Sequence, residues 1–181
     1  MKLITIIFSL IIFTEISFSQ QSEYVKNAKS FEFEKIKLGF TYSNFISQYP
    51  NAIKIQNNDE SIGVLAYRVD DLKSASYGFF TFYNNRLFSV SIIYNEDKLN
   101  SIGGWQTLLN RLKEKLGNDI LKYKKLDEEN KTDVVWWDFD SIQRYFEVVF
   151  FKDGDVSLLF TDDSVRELIR NKKAKNADIG F

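Results

Sequence analysis

Two stretches of the chain alternate in the manner of paired strands. Tyr77 to Tyr94 is rich in aromatic and β-branched residues and is interrupted at Asn84-Asn85. Tyr145 to Thr161 repeats the pattern around Asp153-Gly154. Asp-Gly between strand-forming residues is a strong hairpin signal. Asn-Asn is a weaker form of it, because Asn tolerates the positive φ of tight turns. Two antiparallel hairpins are therefore expected. A single strand should precede each, Ile62 to Val69 before the first and Val134 to Phe139 before the second.

Elsewhere the period changes from two to about 3.6. Tyr42, Phe45, Ile46 and Tyr49 fall on one helical face. Thr41 stands where an N-cap belongs, and Pro50 ends the run. Trp105, Leu108, Leu109, Leu112 and Leu116 form a second amphipathic helix, with Gly117 at its C-terminal cap. Lys113 and Lys115 suit the negative end of its dipole. Val165, Leu168 and Ile169 supply a third apolar face, capped by Asp163 or Ser164, and Ser164 and Glu167 have capping-box spacing. Phe31 to Leu38 reads as a short strand or extended lead-in whose parity slips once, at Glu34-Lys35. Residues 21–30, 51–61 and 95–104 read as polar loops. Residues 118–133 read as a charged connection in which Ile120, Leu121 and Tyr123 could form a short strand.

The order helix, strand, hairpin occurs twice. The pattern predicts an α+β protein of two helix-plus-antiparallel-sheet units, α-β-β-β twice, with a C-terminal helix. The units span 21–98 and 99–171, with a frayed basic tail at 172–181. Within the first hairpin, Phe79, Thr81, Phe88, Val90 and Ile92 are the more apolar surface and are assigned to the core. Phe80, Phe82, Leu87 and Ile93 then face the other way, as do Val149, Phe151, Leu158 and Phe160 in the second hairpin. Trp136 and Trp137 are neighbours on a strand and must point to opposite sides. Phe80, Phe82, Trp136, Phe151 and Phe160 are thus the candidate partner-binding residues, aromatic anchors of the kind that dominate binding hot spots. The competing expectation is that helices cover this surface.

Composition narrows the chemistry. The 181 residues are 44% hydrophobic and 16% aromatic, which favours sheet. Cysteine and histidine are both absent. Disulfides, thiolate metal sites, a cysteine nucleophile and an imidazole base are thereby excluded. The formal net charge is −1, with no basic field for nucleic acid. Lys2, the apolar run Leu3 to Phe13 and the small residues of Ser17-Phe18-Ser19 read as a signal peptide over 1–20, cut after Ser19 or Gln20. The apolar run is too short to span a membrane. No later segment is long and apolar enough to do so.

Asp138 and Asp140 could share one side of a strand and act as a carboxylate pair, but a solvated strand end is the simpler reading. Asp153-Gly154-Asp155 lacks the further ligand spacing of a calcium loop. Asp127-Glu128-Glu129 and Lys172-Lys173-Ala174-Lys175 read as solvated charge runs, and Asn130-Lys131-Thr132 fits a glycosylation sequon. No catalytic, cofactor-binding or metal-binding residue is assigned.

Ile36-Lys37-Leu38-Gly39-Phe40-Thr41, followed by Phe45, Tyr49 and Pro50, resembles a recurring opening in small exported bacterial proteins. The families are the small outer-membrane assembly lipoproteins and the β-lactamase inhibitor proteins. The resemblance covers about fifteen residues and implies helices packed on an antiparallel sheet, with a non-catalytic role. The acylated cysteine of the lipoproteins and the disulfides of the inhibitors have no counterpart here, and no functional residue carries over. The expected function is an exported, non-enzymatic binding module of the envelope or secreted space, periplasmic or extracellular, with a protein or peptide partner. The alternatives are an inhibitor of a secreted hydrolase and a carboxylate-dependent hydrolase.

Overall fold

Both expected hairpins form, and both belong to one sheet. The computed structural model describes residues 21–56, 59–126 and 131–178. The expected signal segment, Asp127-Glu128-Glu129, Asn130 of the sequon and the last three residues lie outside these. Helix α1 runs over residues 21–29. A small hairpin follows, β1 (Glu32–Phe33) and β2 (Ile36–Lys37), then α2 (Tyr42–Gln48). The first meander is β3 (Ile53–Ile55), β4 (Val64–Val69), β5 (Tyr77–Tyr83) and β6 (Arg86–Tyr94). After α3 (Glu96–Ser101) and α4 (Gly104–Leu116) comes the second, β7 (Lys122–Lys125), β8 (Lys131–Phe139), β9 (Arg144–Phe151) and β10 (Val156–Asp162). Helix α5 (Asp163–Asp178) closes the chain.

The eight strands lie in the order β3-β4-β5-β6-β10-β9-β8-β7, and every pairing is antiparallel. Each half of the chain supplies one meander. The halves meet where β6 and β10 pair, with Ser91 opposite Leu159. Helices α1 to α4 cover one face. Between them and the sheet, Phe45 of α2 and Phe80, Phe82, Trp137, Phe146 and Phe160 of the strands are fully buried. Helix α5 crosses part of the other face, where Ile169 and Val165 pack on Ile62, Val64, Tyr83 and Phe88.

Several stretches read as lead-ins, loops or tails form regular structure. The slip of parity at Glu34-Lys35 is a two-residue turn, with φ 47° and 71°, joining β1 to β2. Residues 21–29 form a helix whose Tyr24, Val25 and Ala28 reach the core. Asn95 caps α3 by accepting from the Lys98 amide at 3.0 Å. β3 is a short edge strand held by pairing with β4, and its exposed Ile53 gives no burial pattern to read. The basic tail continues α5 to Asp178, tied down by Lys172 donating to the Ile62 carbonyl at 3.1 Å and by the Lys173–Asp59 ion pair at 2.6 Å. The cap of α5 is Asp162, one residue earlier than expected: its Oδ1 accepts from the Ser164 amide at 3.2 Å.

The assignment of faces in the first hairpin needs correction. Phe80, Phe82 and Leu87 lie in the core with Val90 and Ile92, whereas Phe79 and Thr81 are half-buried on the other face. The cause is a bulge. Phe82 pairs with Leu87, but Thr81 pairs with Ser89, so Phe88 is the extra residue. A bulge reverses the parity of everything beyond it. The main chain of Leu87 is turned towards the segment before α2, accepting from the Gly39 amide at 2.7 Å and donating to the Phe40 carbonyl at 2.9 Å.

Candidate functional site

The aromatic residues proposed as one partner surface are divided between the two faces. Phe80, Phe82 and Phe160 are 0% exposed beneath the helices, so they offer no surface to a partner. Leu158 is buried with them. Trp136 and Phe151 stay half-buried on or near the other face. Trp136 sits in a cross-strand row between Glu147 and Lys122. Its neighbour Trp137 points into the core, as alternation requires, and its Nε1 donates to the Gly117 carbonyl at 2.6 Å.

In the first unit, helix and sheet meet through interlocked rings. Phe45 lies against Tyr49, Tyr67, Phe80 and Phe82 at centroid distances of 5.6, 5.9, 5.0 and 5.1 Å. The second unit is different. Helix α4 seats Leu109, Leu112 and Leu116 on the sheet, and an open cleft of about 550 Å³ remains beside them. That volume falls within the range of about 300–1,000 Å³ typical of small-molecule sites.

The cleft is built from regular elements. Trp105, Leu109 and Lys113 line it from α4, spaced four residues apart on one helical stripe. Tyr123 comes from β7, Asp133 and Val135 from β8, and Phe150 from β9. The register sets Tyr123 opposite Val135, and Phe150 opposite both Asp133 and Val156. Gly154 and Asp155 of the second hairpin's turn form the lower rim. Phe151 also lines the cleft, the one candidate surface residue to do so.

Trp105 is 50% exposed although it is the largest apolar residue of α4, and its ring meets Phe150 edge-on, with centroids 5.4 Å apart and planes at 79°. Tyr123 is 61% exposed, and its hydroxyl donates to Asp133 Oδ1 at 2.5 Å. That bond to a carboxylate raises the Tyr123 pKa. Burial, then the Asp153 charge, raise the pKa of Asp155. The Asp155 carboxylate has no hydrogen-bond or ion-pair partner among the described residues. Sequence reading placed Trp105 and Leu109 in a helix and Asp155 in a turn, but missed the cleft. The signal available was the Trp at the first turn of α4, wider than that position of a closed helix–sheet interface needs.

The carboxylate pair is elsewhere. Asp138 and Asp140 gather with Gln143, Asp163 and Glu167 around a shallow depression at the opposite end of the sheet. Burial and the charge of Asp140 raise the Asp138 pKa, while Lys122 opposes them. No group of three or more metal-binding side chains occurs among the described residues. No described helix is long and apolar enough to cross a membrane. Neither a family model, nor a curated protein, nor a solved structure matches the chain.

Proposed function

We propose that this protein is a non-enzymatic binding module acting outside the cytoplasm, and that the cleft beside α4 is its recognition site. One observation carries the reading: half-exposed aromatic side chains stand around an apolar floor at positions fixed by a helix and four strands. Sites on regular elements hold their geometry better than sites on loops. Exposing a Trp and a Tyr there has no use in packing, since both would be more stable covered. The chain contains neither histidine nor cysteine, and Asp133 is already bonded to Tyr123, which favours binding over catalysis. The partner surface is therefore narrower than a whole sheet face.

A fragment screen followed by thermal denaturation tests this. Fragments that raise the melting temperature of the native chain should lose that effect in Trp105→Ala. Trp105 is half exposed, so that change leaves the fold standing. Hits that stabilise Trp105→Ala equally would place recognition elsewhere.

A further inference from the structure

The charge of the cleft indicates what it takes. Its lining carries two carboxylates, Asp133 and Asp155, against one ammonium, Lys113. Lys113 forms no ion pair with either acid, so neither negative charge is neutralised from within. Trp105, Tyr123, Phe150 and Phe151 supply four aromatic side chains around the same space. Aromatic faces attract cations, and a carboxylate at the edge of an apolar site adds a charge-assisted hydrogen bond. A bare metal ion does not fit. It needs several converging oxygen ligands, and none of the described residues form such a group.

We propose that the cleft binds a small organic ammonium compound. Its apolar group lies on Leu109, Val135 and Val156, and its charged nitrogen sits among the aromatic rings beside Asp155. This inference rests on the cleft being the recognition site. The ligand gains twice, by covering apolar floor and by giving Asp155 a counter-charge. An anion of the same shape would meet two carboxylates, and a neutral isostere would leave Asp155 without its counter-charge.

Isothermal titration of the whole chain with phenethylamine, benzyltrimethylammonium, 2-phenylethanol and 3-phenylpropanoate separates the possibilities. Both cations should bind at least about tenfold more tightly than 2-phenylethanol, the scale expected of a cation over aromatic rings beside a carboxylate. Phenylpropanoate should bind most weakly. Asp155→Asn, a surface change at a turn, should remove most of the advantage of the cations. Equal binding of 2-phenylethanol and phenethylamine would overturn the ammonium preference while leaving the cleft as a site for apolar groups. An unchanged preference in Asp155→Asn would also overturn it. Binding by none of the four would remove the cleft reading as well.

Discussion

Thr161 donates its hydroxyl to the carbonyl of Phe88 at 3.1 Å, across the junction of the two halves of the sheet. Thr161 is the one buried polar residue among those described. Its bond seals the bulge from the side of β10, while Gly39 and Phe40 satisfy Leu87 from the side of α2. The bulge in β6 is thus held at Leu87 and Phe88 by hydrogen bonds from two separate parts of the chain. Thr161→Val keeps the shape and removes the donor. It should destabilise the fold by about 1–3 kcal/mol, the cost of leaving a buried carbonyl unpaired. A lower denaturant midpoint at unchanged slope would show it.

Gly117 is a second such joint. Its φ is 93°, and a Cβ there would come within 2.7 Å of the Tyr24 ring. Its carbonyl also receives the Trp137 indole. Gly117→Ala combines backbone strain with a clash and should cost at least about 1 kcal/mol. Trp137→Phe should cost a similar amount or more, from the lost bond and the void. Because the two residues share one contact, the double variant should be less damaging than the sum of the two, as a double-mutant cycle by chemical denaturation would reveal.

Alkaline pH offers a third test. Tyr49 is pushed up to about 12 by burial and by the neighbouring Glu34 carboxylate, to which its hydroxyl donates at 3.2 Å. Tyr67 is pushed up to about 12 by burial and by its bond to Tyr42. Both values lie above the ordinary phenol near 10. Between about pH 10 and pH 12 the unfolded chain has released protons that the folded chain still holds. Stability should therefore be complete below about pH 10 and fall as pH rises towards 12. Denaturation series at rising pH would register the loss, and Tyr49→Phe should flatten the slope. A stability that rises over that interval would contradict the assignment.

Lys113 opposes the ligand class inferred for the cleft. Replacing it with Met keeps the apolar stem and removes the positive charge. Phenethylamine affinity should increase by a few-fold in Lys113→Met, in keeping with the modest strength of a partly exposed charge interaction. The gain should shrink as salt is raised. Titration calorimetry at two ionic strengths measures both effects.

Much of this architecture was legible because local and tertiary preferences agree. Asn84 and Asn85 both take positive φ, 47° and 62°, as the turn demanded. Thr41 caps α2 by accepting from the Asn44 amide at 3.3 Å, and Pro50 follows the helix end. What failed was parity. A two-residue count across Asn84-Asn85 predicts Phe80 opposite Ser89, but the bulge at Phe88 sets it opposite Val90. Nothing near Phe88 in sequence announces that bulge. Its causes lie at Gly39, Phe40 and Thr161. That reversal placed Phe80 and Phe82 on the wrong face. A connection longer than two residues, which sets Val156 opposite Phe150, did the same for Phe160, so the aromatic surface seemed to be the sheet itself. The cleft depends on how Trp105 meets Phe150, a tertiary contact that periodicity does not encode.

The most direct test follows individual groups through a titration. Proton–nitrogen correlation spectra of the whole chain, recorded with increasing phenethylamine, resolve the side chains of all three tryptophans separately. The indole of Trp105 and the amides of Leu109, Phe150 and Asp155 should shift together and saturate, while the indoles of Trp136 and Trp137 stay in place. Shifts centred on Trp136, or none at all at millimolar ligand, would contradict the assignment of recognition to the cleft.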